Sequence, residues 1–378
     1  MRYKLLIGLL SFCIVSILNA TPSLVPTPPQ LKAKAWLMVD SNSNRILAEH
    51  NSSMRVEPAS LTKIMTGYVV LREIANKSIN MDDQVLISKK AWQMKGSLMF
   101  IEVNTRVSVE KLLKGMIIQS GNDASVALAE HVAGGEDAFV QLMNQYADSL
   151  GMKETHYENS TGWPSANHYT TAHDLAILSR ALIKDFPDHY DWYKEKVFKY
   201  NNIKQNNRNR LLWIDERVDG IKTGHTESAG YCLVTSAKQK DMRLITVVLG
   251  ADSDKARSNN SRKLLNFGFR FYETFLLHQA NKPLTTTRIW KGDKKELALG
   301  VSDDLYLTLP RGQRKKISAN MSLKPMLMAP AKVGQAYGTV NIKFKGEDYT
   351  SRPLVALENI PEGGIWRKLV DSVILLFN

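Results

Sequence analysis

Pro58-Ala-Ser60-Leu-Thr-Lys63 lies where a helix is predicted to begin, and it places a serine three residues before a lysine. Side chains three residues apart share one helix face, so the Lys63 amine is expected within reach of the Ser60 hydroxyl. A serine hydroxyl is a weak nucleophile that needs a base beside it. A lysine serves as that base only where burial or a second cation disfavours its charged form. Ser60 and Lys63 are therefore candidate catalytic residues; the alternative is that Ser60 only caps the helix.

A second motif, Ser120-Gly121-Asn122, follows an apolar helix predicted at Val109–Ile118. On a tight turn after that helix, the Ser120 hydroxyl can relay a proton between lysines, and the Asn122 amide can hold a substrate amide. The alternative is an ordinary turn between two helices in which Asn122 caps the second one.

A third motif is Gly220-Ile-Lys222-Thr-Gly-His225-Thr226. Lys222 is a fixed cation that can attract a substrate carboxylate and lower the pKa of Lys63. Gly224 allows close approach of a ligand to the backbone, and a strand at a sheet edge can pair with an extended peptide. The backbone N–H groups of His225 and Ser60 can together form an oxyanion hole. The alternative is a strand end without a function.

The apolar periodicity predicts the elements around these motifs. Helices are predicted at Val109–Ile118, Ala124–Val132, Glu136–Leu150, Thr171–Ile183 and Lys263–Leu276. Strands are predicted as a hairpin at Ala33–Val39 and Arg45–Ala48, and as three consecutive antiparallel strands at Gly220–Thr223, Tyr231–Ala237 and Arg243–Leu249. Between Thr286 and Glu358, short β-rich runs alternate with turns. We therefore expect a catalytic domain over residues 30–281 and a small all-β sandwich domain over residues 282–361.

The sequence patterns at both ends of the chain predict targeting segments. Residues 1–20 have a basic start and a short apolar run and are predicted to be a signal peptide cleaved near Ala20; the alternative is an uncleaved anchor. Residues 362–378 form a predicted amphipathic helix, too short to span a bilayer but suited to lie in its interface. The alternative is a terminal helix docked on the protein.

The formal net charge of +13 suits a polyanionic surface such as the cell envelope, and no nucleic-acid-binding motif accompanies it. Cleavage of the signal peptide would leave Cys232 as the single cysteine, which excludes an internal disulfide, and its apolar surroundings favour a core residue. His156, His168 and His173 match no usual metal spacing. We expect no metal and no cofactor. Glu158 is a candidate for a deacylating base; the alternative is a loop carboxylate without a catalytic role.

The three motifs occur in order, 60 and then 102 residues apart, and together they resemble the Ser-x-x-Lys, Ser-Asp-Asn and Lys-Thr-Gly set of β-lactamases and penicillin-binding proteins. Gly121 stands where that set has Asp, and in this respect the chain is similar to low-molecular-mass penicillin-binding proteins, the D-alanyl-D-alanine carboxypeptidases (peptidase S11-like). Further similar segments are Ile118–Ala124, Asn207–Trp213, Val218–His225, Phe267–Glu273 and Arg352–Leu354. The resemblance implies an α/β (α+β) penicillin-binding fold, with an antiparallel sheet flanked by helices, followed by a β-sandwich.

The resemblance also implies roles for residues of this chain. Ser60 resembles the acyl-enzyme nucleophile, Lys63 the proton acceptor and Ser120 the second catalytic hydroxyl. The implied substrate-binding residues are Asn122, Lys222, Thr223, Gly224, His225 and, by a looser alignment, Arg257.

The implied activity is removal of the terminal D-alanine from peptidoglycan pentapeptides, with acylation by penicillins, on the periplasmic face of the cytoplasmic membrane. The alternatives are a β-lactamase or D,D-endopeptidase on the same fold, or a non-catalytic envelope scaffold that binds wall peptide.

Overall fold

A computed structural model describes residues 25–377. The predicted signal peptide, residues 1–20, lies outside the described residues. The described chain begins with an extended proline-rich segment and then enters the sheet that organises the first domain.

Five strands form one antiparallel sheet in the order β2-β1-β9-β8-β7, and four shorter strands form the two-stranded ribbons β3-β4 and β5-β6. Their bounds are β1 Ala35–Asp40, β2 Ile46–His50, β3 Gln84–Leu86, β4 Arg106–Ser108, β5 Val197–Tyr200, β6 Ile203–Asn206, β7 Val218–Thr226, β8 Gly230–Gln239 and β9 Met242–Ala251. The predicted hairpin and the three consecutive strands are therefore confirmed. Strand β7, which carries the Lys-Thr-Gly motif, lies at an edge of the sheet.

Nine helices accompany these strands in the described chain up to Phe271. Their bounds are α1 Thr62–Ala75, α2 Lys89–Trp92, α3 Val109–Ile118, α4 Asn122–Ala133, α5 Glu136–Leu150, α6 Ala172–Asp185, α7 Pro187–Tyr190, α8 Leu211–Ile214 and α9 Asp254–Phe271. The predicted helices at Val109–Ile118 and Glu136–Leu150 match α3 and α5 at both ends. Serine and threonine caps set several starts: Ser108 accepts from the N–H of Lys111, and Thr171 from that of Asp174.

The sheet is covered by helices on both faces, which explains why β1 is buried at every position. Ala35, Leu37 and Val39 point into the core formed with helices α1, α3, α4 and α6. Trp36 and Met38 point the other way, into a second core formed with α9. Because successive strand residues face opposite sides, an unbroken apolar run is what a sheet between two helical layers requires.

The last helix of this domain differs from the prediction of Lys263–Leu276. Helix α9 begins at Asp254, because the Ser253 side chain caps it by accepting the N–H of Ala256. It ends at Phe271, where the chain continues as a strand paired with another strand of the following domain. The apolar spacing of this segment also fits a strand, and the tertiary pairing decides between the two.

The remaining described chain is an all-β domain followed by one helix. Its elements are β10 Tyr272–His278, β11 Thr285–Arg288, β12 Glu296–Gly300, β13 Leu305–Pro310, β14 Ile317–Leu323, β15 Ala336–Phe344, β16 Glu347–Ala356 and α10 Ile365–Leu375. Strands β10 and β13 pair with each other, and the other five form a sheet in the order β11-β12-β16-β15-β14. Within residues 25–377, no helix combines the length and the apolar character that crossing a bilayer requires.

Candidate active site

Ser60 lies in a short 3₁₀ turn, Ala59–Leu61, that leads directly into α1. Strand β7 runs past this turn so closely that a β-carbon on Gly224 would be 3.2 Å from the backbone nitrogen of Ser60. Glycine at 224 therefore lets the edge strand lie against the serine turn. The first and third motifs meet here, as the sequence predicts.

Lys63 is 1 % exposed, and its Nζ has three hydrogen-bond acceptors. It donates to Ser60 Oγ at 3.1 Å, to Asn122 Oδ1 at 2.7 Å and to the backbone carbonyl of Thr161 at 2.6 Å. The orientation of the Asn122 amide is fixed because its Nδ2 donates to the carbonyl of Lys95 at 2.6 Å. The first two motifs therefore converge on one ammonium group.

The surroundings of Lys63 disfavour its charge. Burial, and then the guanidinium of Arg208, lower the pKa of Lys63 to about 7, against a smaller opposing effect of Asp123. Within residues 25–377, no carboxylate forms an ion pair with Lys63. A large fraction of this lysine is therefore neutral near neutral pH, which is the form that can accept a proton.

A second lysine–hydroxyl pair lies on the other wall of the site. Lys222 Nζ donates to Ser120 Oγ at 2.9 Å and to the carbonyl of Thr223 at 3.0 Å. Burial, followed by the charges of Lys63, Arg208 and Arg257, holds the pKa of Lys222 well below its ordinary value. Ser120 sits between α3 and α4 with a φ of 68°, so the hydroxyl is presented by a tight turn.

These pairs border a cleft with a volume of about 640 Å³. The predicted residues that line it are Ser60, Ser120, Asn122, Thr223, Gly224, His225 and Arg257. Lys63 and Lys222 lie behind them, 1 % and 3 % exposed. His225 is exposed, and its imidazole packs against Tyr231 with ring centroids 4.0 Å apart and ring planes inclined at 33°. All nine residues chosen from the sequence thus lie in or directly behind one cleft.

Two arginines at the cleft differ in how they are held. Arg257 is mostly engaged by the protein: Nη1 donates to the carbonyls of Gly224 and Cys232, and Nη2 to Asp254 at 2.5 Å. Arg208 lines the same cleft, is exposed, and has no hydrogen-bond or ion-pair partner among the described residues. Arg208 was not among the residues predicted from the sequence, although it lies inside the Asn207–Trp213 segment that resembles the family.

A second residue missed from the sequence is Asp123, next to the middle motif. It is 2 % exposed, and its carboxylate accepts the backbone N–H groups of Met99, Phe100 and Ile101 at 2.8, 2.9 and 3.3 Å. These bonds fix the loop opposite α4. Its charge is the opposing effect on the pKa of Lys63, so Asp123 holds this loop and also contributes to the electrostatics of the site.

The weaker candidates have structural roles. The buried imidazole of His168 accepts the N–H of Glu158 at Nδ1, and its Nε2 lies 2.8 Å from Thr62 Oγ1. Burial lowers its pKa to about 4, so it is neutral at neutral pH. Among the described residues, no group of three potential metal ligands comes together. Cys232 is buried in the core, and burial raises the pKa of its thiol to about 11.

Comparison with known proteins identifies the protein family. A model of the family described as D-alanyl-D-alanine carboxypeptidase matches residues 23–253, and one described as the C-terminal domain of penicillin-binding protein 5 matches residues 272–362. The D-alanyl-D-alanine carboxypeptidase DacC of Escherichia coli K12 is 46 % identical over 93 % of this chain and 90 % of its own length. The chain belongs to the D-alanyl-D-alanine carboxypeptidase family.

Solved structures agree with this assignment. Penicillin-binding protein 5 from Haemophilus influenzae is 42 % identical, with a TM-score of 0.84 over 89 % of this chain and all of that one. Penicillin-binding protein D2 from Listeria monocytogenes, solved in an ampicillin-bound form, is 28 % identical, with a TM-score of 0.60 over 65 % of this chain. The predicted penicillin-binding fold and the all-β second domain are therefore confirmed.

In the setting of this carboxypeptidase family, the geometry has a definite chemical capability. It offers one hydroxyl beside a lysine that is partly neutral, a second hydroxyl beside a second lysine, and an edge strand between them. These are the groups that acyl transfer through a serine ester needs: a nucleophile, a base, a proton relay and a surface to hold the acyl group.

Proposed function

We propose that this chain is a serine-type D-alanyl-D-alanine carboxypeptidase that removes the terminal D-alanine from peptidoglycan pentapeptides. The observation that carries the proposal is the 3.1 Å hydrogen bond between Lys63 Nζ and Ser60 Oγ at a lysine whose pKa is lowered to about 7. The names of the relatives support the substrate class.

The first chemical step is acylation of Ser60. Neutral Lys63 takes the hydroxyl proton as Ser60 Oγ attacks the carbonyl between the two D-alanines, and a tetrahedral oxyanion forms. The backbone N–H groups of Ser60 and His225 stabilise that oxyanion. The C–N bond then breaks, and the proton held by Lys63 passes to the leaving nitrogen by way of the Ser120 hydroxyl, which Lys222 holds in place. D-alanine thus leaves as an amine, and Lys63 is neutral again.

The second step restores the enzyme. A water molecule attacks the ester carbon of acyl-Ser60, with Lys63 as the proton acceptor, and the ester C–O bond breaks. Ser60 Oγ regains a proton from Lys63, and the shortened peptide leaves with a new carboxylate. One water is consumed and one D-alanine is released in each cycle.

Substrate placement follows from the walls of the cleft. The peptide backbone pairs with the edge of β7 near Thr223 and His225, with the Asn122 amide on its other side. The terminal carboxylate lies between Lys222 and Arg208, because the guanidinium of Arg208 is without a protein partner and Arg257 is bound to backbone carbonyls. Arg257 then supports β7 and contacts the substrate less.

The test is labelling with a fluorescent penicillin, followed by mass spectrometry and an assay of D-alanine release from a pentapeptide. We expect one stable adduct on Ser60, none with Ser60→Ala, and D-alanine release from the wild type alone. Rapid turnover of the penicillin would favour a β-lactamase. Binding of the wall peptide without D-alanine release would favour the scaffold.

We further propose that the chain is exported by its signal peptide and rests on the periplasmic face of the membrane through α10. The burial pattern of the helix supports this. Asp371, on its polar side, is 3 % exposed and accepts the N–H of Lys291 at 2.6 Å. By contrast, Ile365 and Trp366 in the helix, and Leu376 and Phe377 just after it, are at least 78 % exposed. The helix thus docks by its polar face and presents its apolar face outward, the arrangement that an interfacial helix needs.

Sedimentation with anionic phospholipid vesicles tests the membrane proposal. Trp366→Glu with Leu376→Glu is expected to abolish sedimentation, because two charges would enter the apolar face. Met321→Glu is the matched control, since Met321 is an exposed apolar residue on β14, away from α10. Equal binding by all variants would contradict the role of α10 and leave the carboxypeptidase proposal untouched.

A further inference from the structure

One asparagine side chain organises the loop whose carbonyl contacts Lys63. Asn159 Oδ1 accepts the backbone N–H groups of Thr161, Gly162 and Trp163 at 3.2, 2.7 and 3.0 Å. Its Nδ2 donates to the carbonyl of Trp163 at 2.9 Å, which settles which end of the amide is the oxygen. Three consecutive peptide units are therefore held by a single side chain that forms no hydrogen bond with Lys63, whose partners are Ser60, Asn122 and the Thr161 carbonyl.

The peptide unit between Thr161 and Gly162 connects this asparagine to the lysine. In a trans peptide, the C=O and the N–H lie in one plane and point in opposite directions within it. Here the N–H of Gly162 donates to Asn159, and the C=O of Thr161 accepts from Lys63 Nζ at 2.6 Å. Asn159 thus sets the tilt of the plane whose far end meets the amine.

Glycine at 162 keeps this peptide pressed against the serine turn. Its φ is +84°, and a β-carbon there would lie 1.8 Å from the carbonyl oxygen of Ala59. No other residue fits that backbone position without moving the turn that presents Ser60. The distance between the loop and the nucleophile is therefore fixed by contact, and the direction of the Thr161 carbonyl is fixed by Asn159.

The direction of the Thr161 carbonyl matters because it determines where the N–H groups and the lone pair of neutral Lys63 point. A neutral lysine has two N–H donors and one lone pair. Of its three neighbours, the Asn122 Oδ1 and the Thr161 carbonyl can only accept, whereas the Ser60 hydroxyl can also donate. When both acceptors are in place they take the two N–H groups, and the lone pair is left facing the Ser60 O–H.

We propose that Asn159 is a positioning residue for the general base: by holding the Thr161–Gly162 peptide, it aims the lone pair of neutral Lys63 at Ser60. The inference rests on the proposed function, in which Lys63 is the proton acceptor. It adds a residue that lies 96 positions along the chain from Lys63 and acts only through a backbone carbonyl.

The test compares Asn159→Ala with Asn144→Ala in penicillin acylation between pH 5 and 9. Asn144 is the matched control, because its amide also pins this loop, at the N–H and C=O of Tyr157, at 2.9 and 3.0 Å, but it does not hold the Thr161–Gly162 peptide. We expect Asn159→Ala to acylate about 100-fold more slowly at every pH, with noncovalent binding of the penicillin unchanged. Asn144→Ala should acylate at the wild-type rate, even if its melting temperature falls as far.

Asn159→Asp tests the positioning role through the pH dependence of acylation, which a purely structural role of Asn159 would leave unchanged. The carboxylate keeps an acceptor for the three N–H groups, so the rate at high pH should return towards that of the wild type. Its negative charge favours protonated Lys63, so the acid limb of the rate profile should shift to higher pH.

Two results would overturn the positioning role: wild-type acylation by Asn159→Ala, or equal slowing by both alanine variants. Ser60→Ala is run in parallel, because an adduct that survives it would overturn the proposed function instead.

Discussion

The catalytic cleft and the C-terminal helix each bury one charged side chain, but the electrostatic surroundings of the two charges are opposite. In the cleft, Lys63 is surrounded by neutral acceptors, and the charges nearest to it include the cation of Arg208. At the C-terminal helix, Asp371 is buried to a similar degree but accepts a backbone N–H from Lys291 and lies 3.4 Å from the guanidinium of Arg288. One charge is destabilised by its environment and the other is compensated.

The contrast separates a reactive group from a structural one. A buried ion that lacks an opposite charge is held closer to its neutral form, and this makes Lys63 available for proton transfer at a cost in stability. A buried ion with a counter-charge contributes to the fold and has little chemistry left to perform. Burial alone therefore does not mark a catalytic residue, whereas the identity of its partners does.

The largest effect expected from this contrast is on Lys63→Met. Methionine fills a similar volume without a base, so acylation by penicillin should fall about 1,000-fold. Thermal stability should change little, because removal of an uncompensated buried charge offsets the loss of the donor to Asn122 Oδ1 and to the Thr161 carbonyl. Stopped-flow acylation and a thermal melt of the same sample make the measurement. A variant that lost both activity and stability would show that Lys63 holds the fold together.

Asp371→Ala should lower local stability and leave activity unchanged, the reverse of Lys63→Met. The N–H of Lys291 loses its acceptor, which costs about 2 kcal/mol locally, or roughly 30-fold faster amide exchange in α10. D-alanine release from a soluble peptide should be unaffected, since the cleft lies in the other domain. Asp348→Ala is the control: Asp348 pairs with Lys343 at the surface of the same domain and is highly exposed, so its loss should leave the exchange unchanged.

The free energy of unfolding should depend on pH differently in the wild type and in Lys63→Met. The pKa of Lys63 is lowered in the folded state, so between about pH 7 and its ordinary value of 10.5 the unfolded chain binds more protons. Stability from this group therefore rises with pH across that window, by up to about 1.4 kcal/mol per pH unit. The difference between wild type and Lys63→Met, measured by urea unfolding from pH 6 to 10, should show this slope. A flat difference would mean that Lys63 stays charged.

The elements and motif residues were predictable because they leave local patterns in the sequence. Helices α3 and α5 follow from apolar spacing, and the meeting of Ser60, Lys63, Ser120 and Lys222 follows from their motifs and the family resemblance. The Thr161 carbonyl was not predictable, since a backbone acceptor has no side chain to recognise. Arg208 lies in a segment that resembles the family, but nothing in that segment shows that its side chain reaches the cleft. The end of α9 depends on pairing with β13, which only the folded chain supplies.

The smallest expected effect concerns Arg208, the cation that acts on Lys63 from the cleft wall. Removing its charge in Arg208→Gln favours protonated Lys63, so the acid limb of acylation should move to higher pH, by less than about one unit, because burial is the larger cause.

Arg208→Lys keeps the charge and should leave that limb in place, but it replaces a planar fork with a point charge and should weaken the binding of the substrate carboxylate. The pH profile of acylation and the KM for a pentapeptide therefore report separately on charge and on geometry. If neither variant changes either quantity, Arg208 lies beyond the reach of both lysine and substrate, and the carboxylate must be held by Lys222 and Arg257.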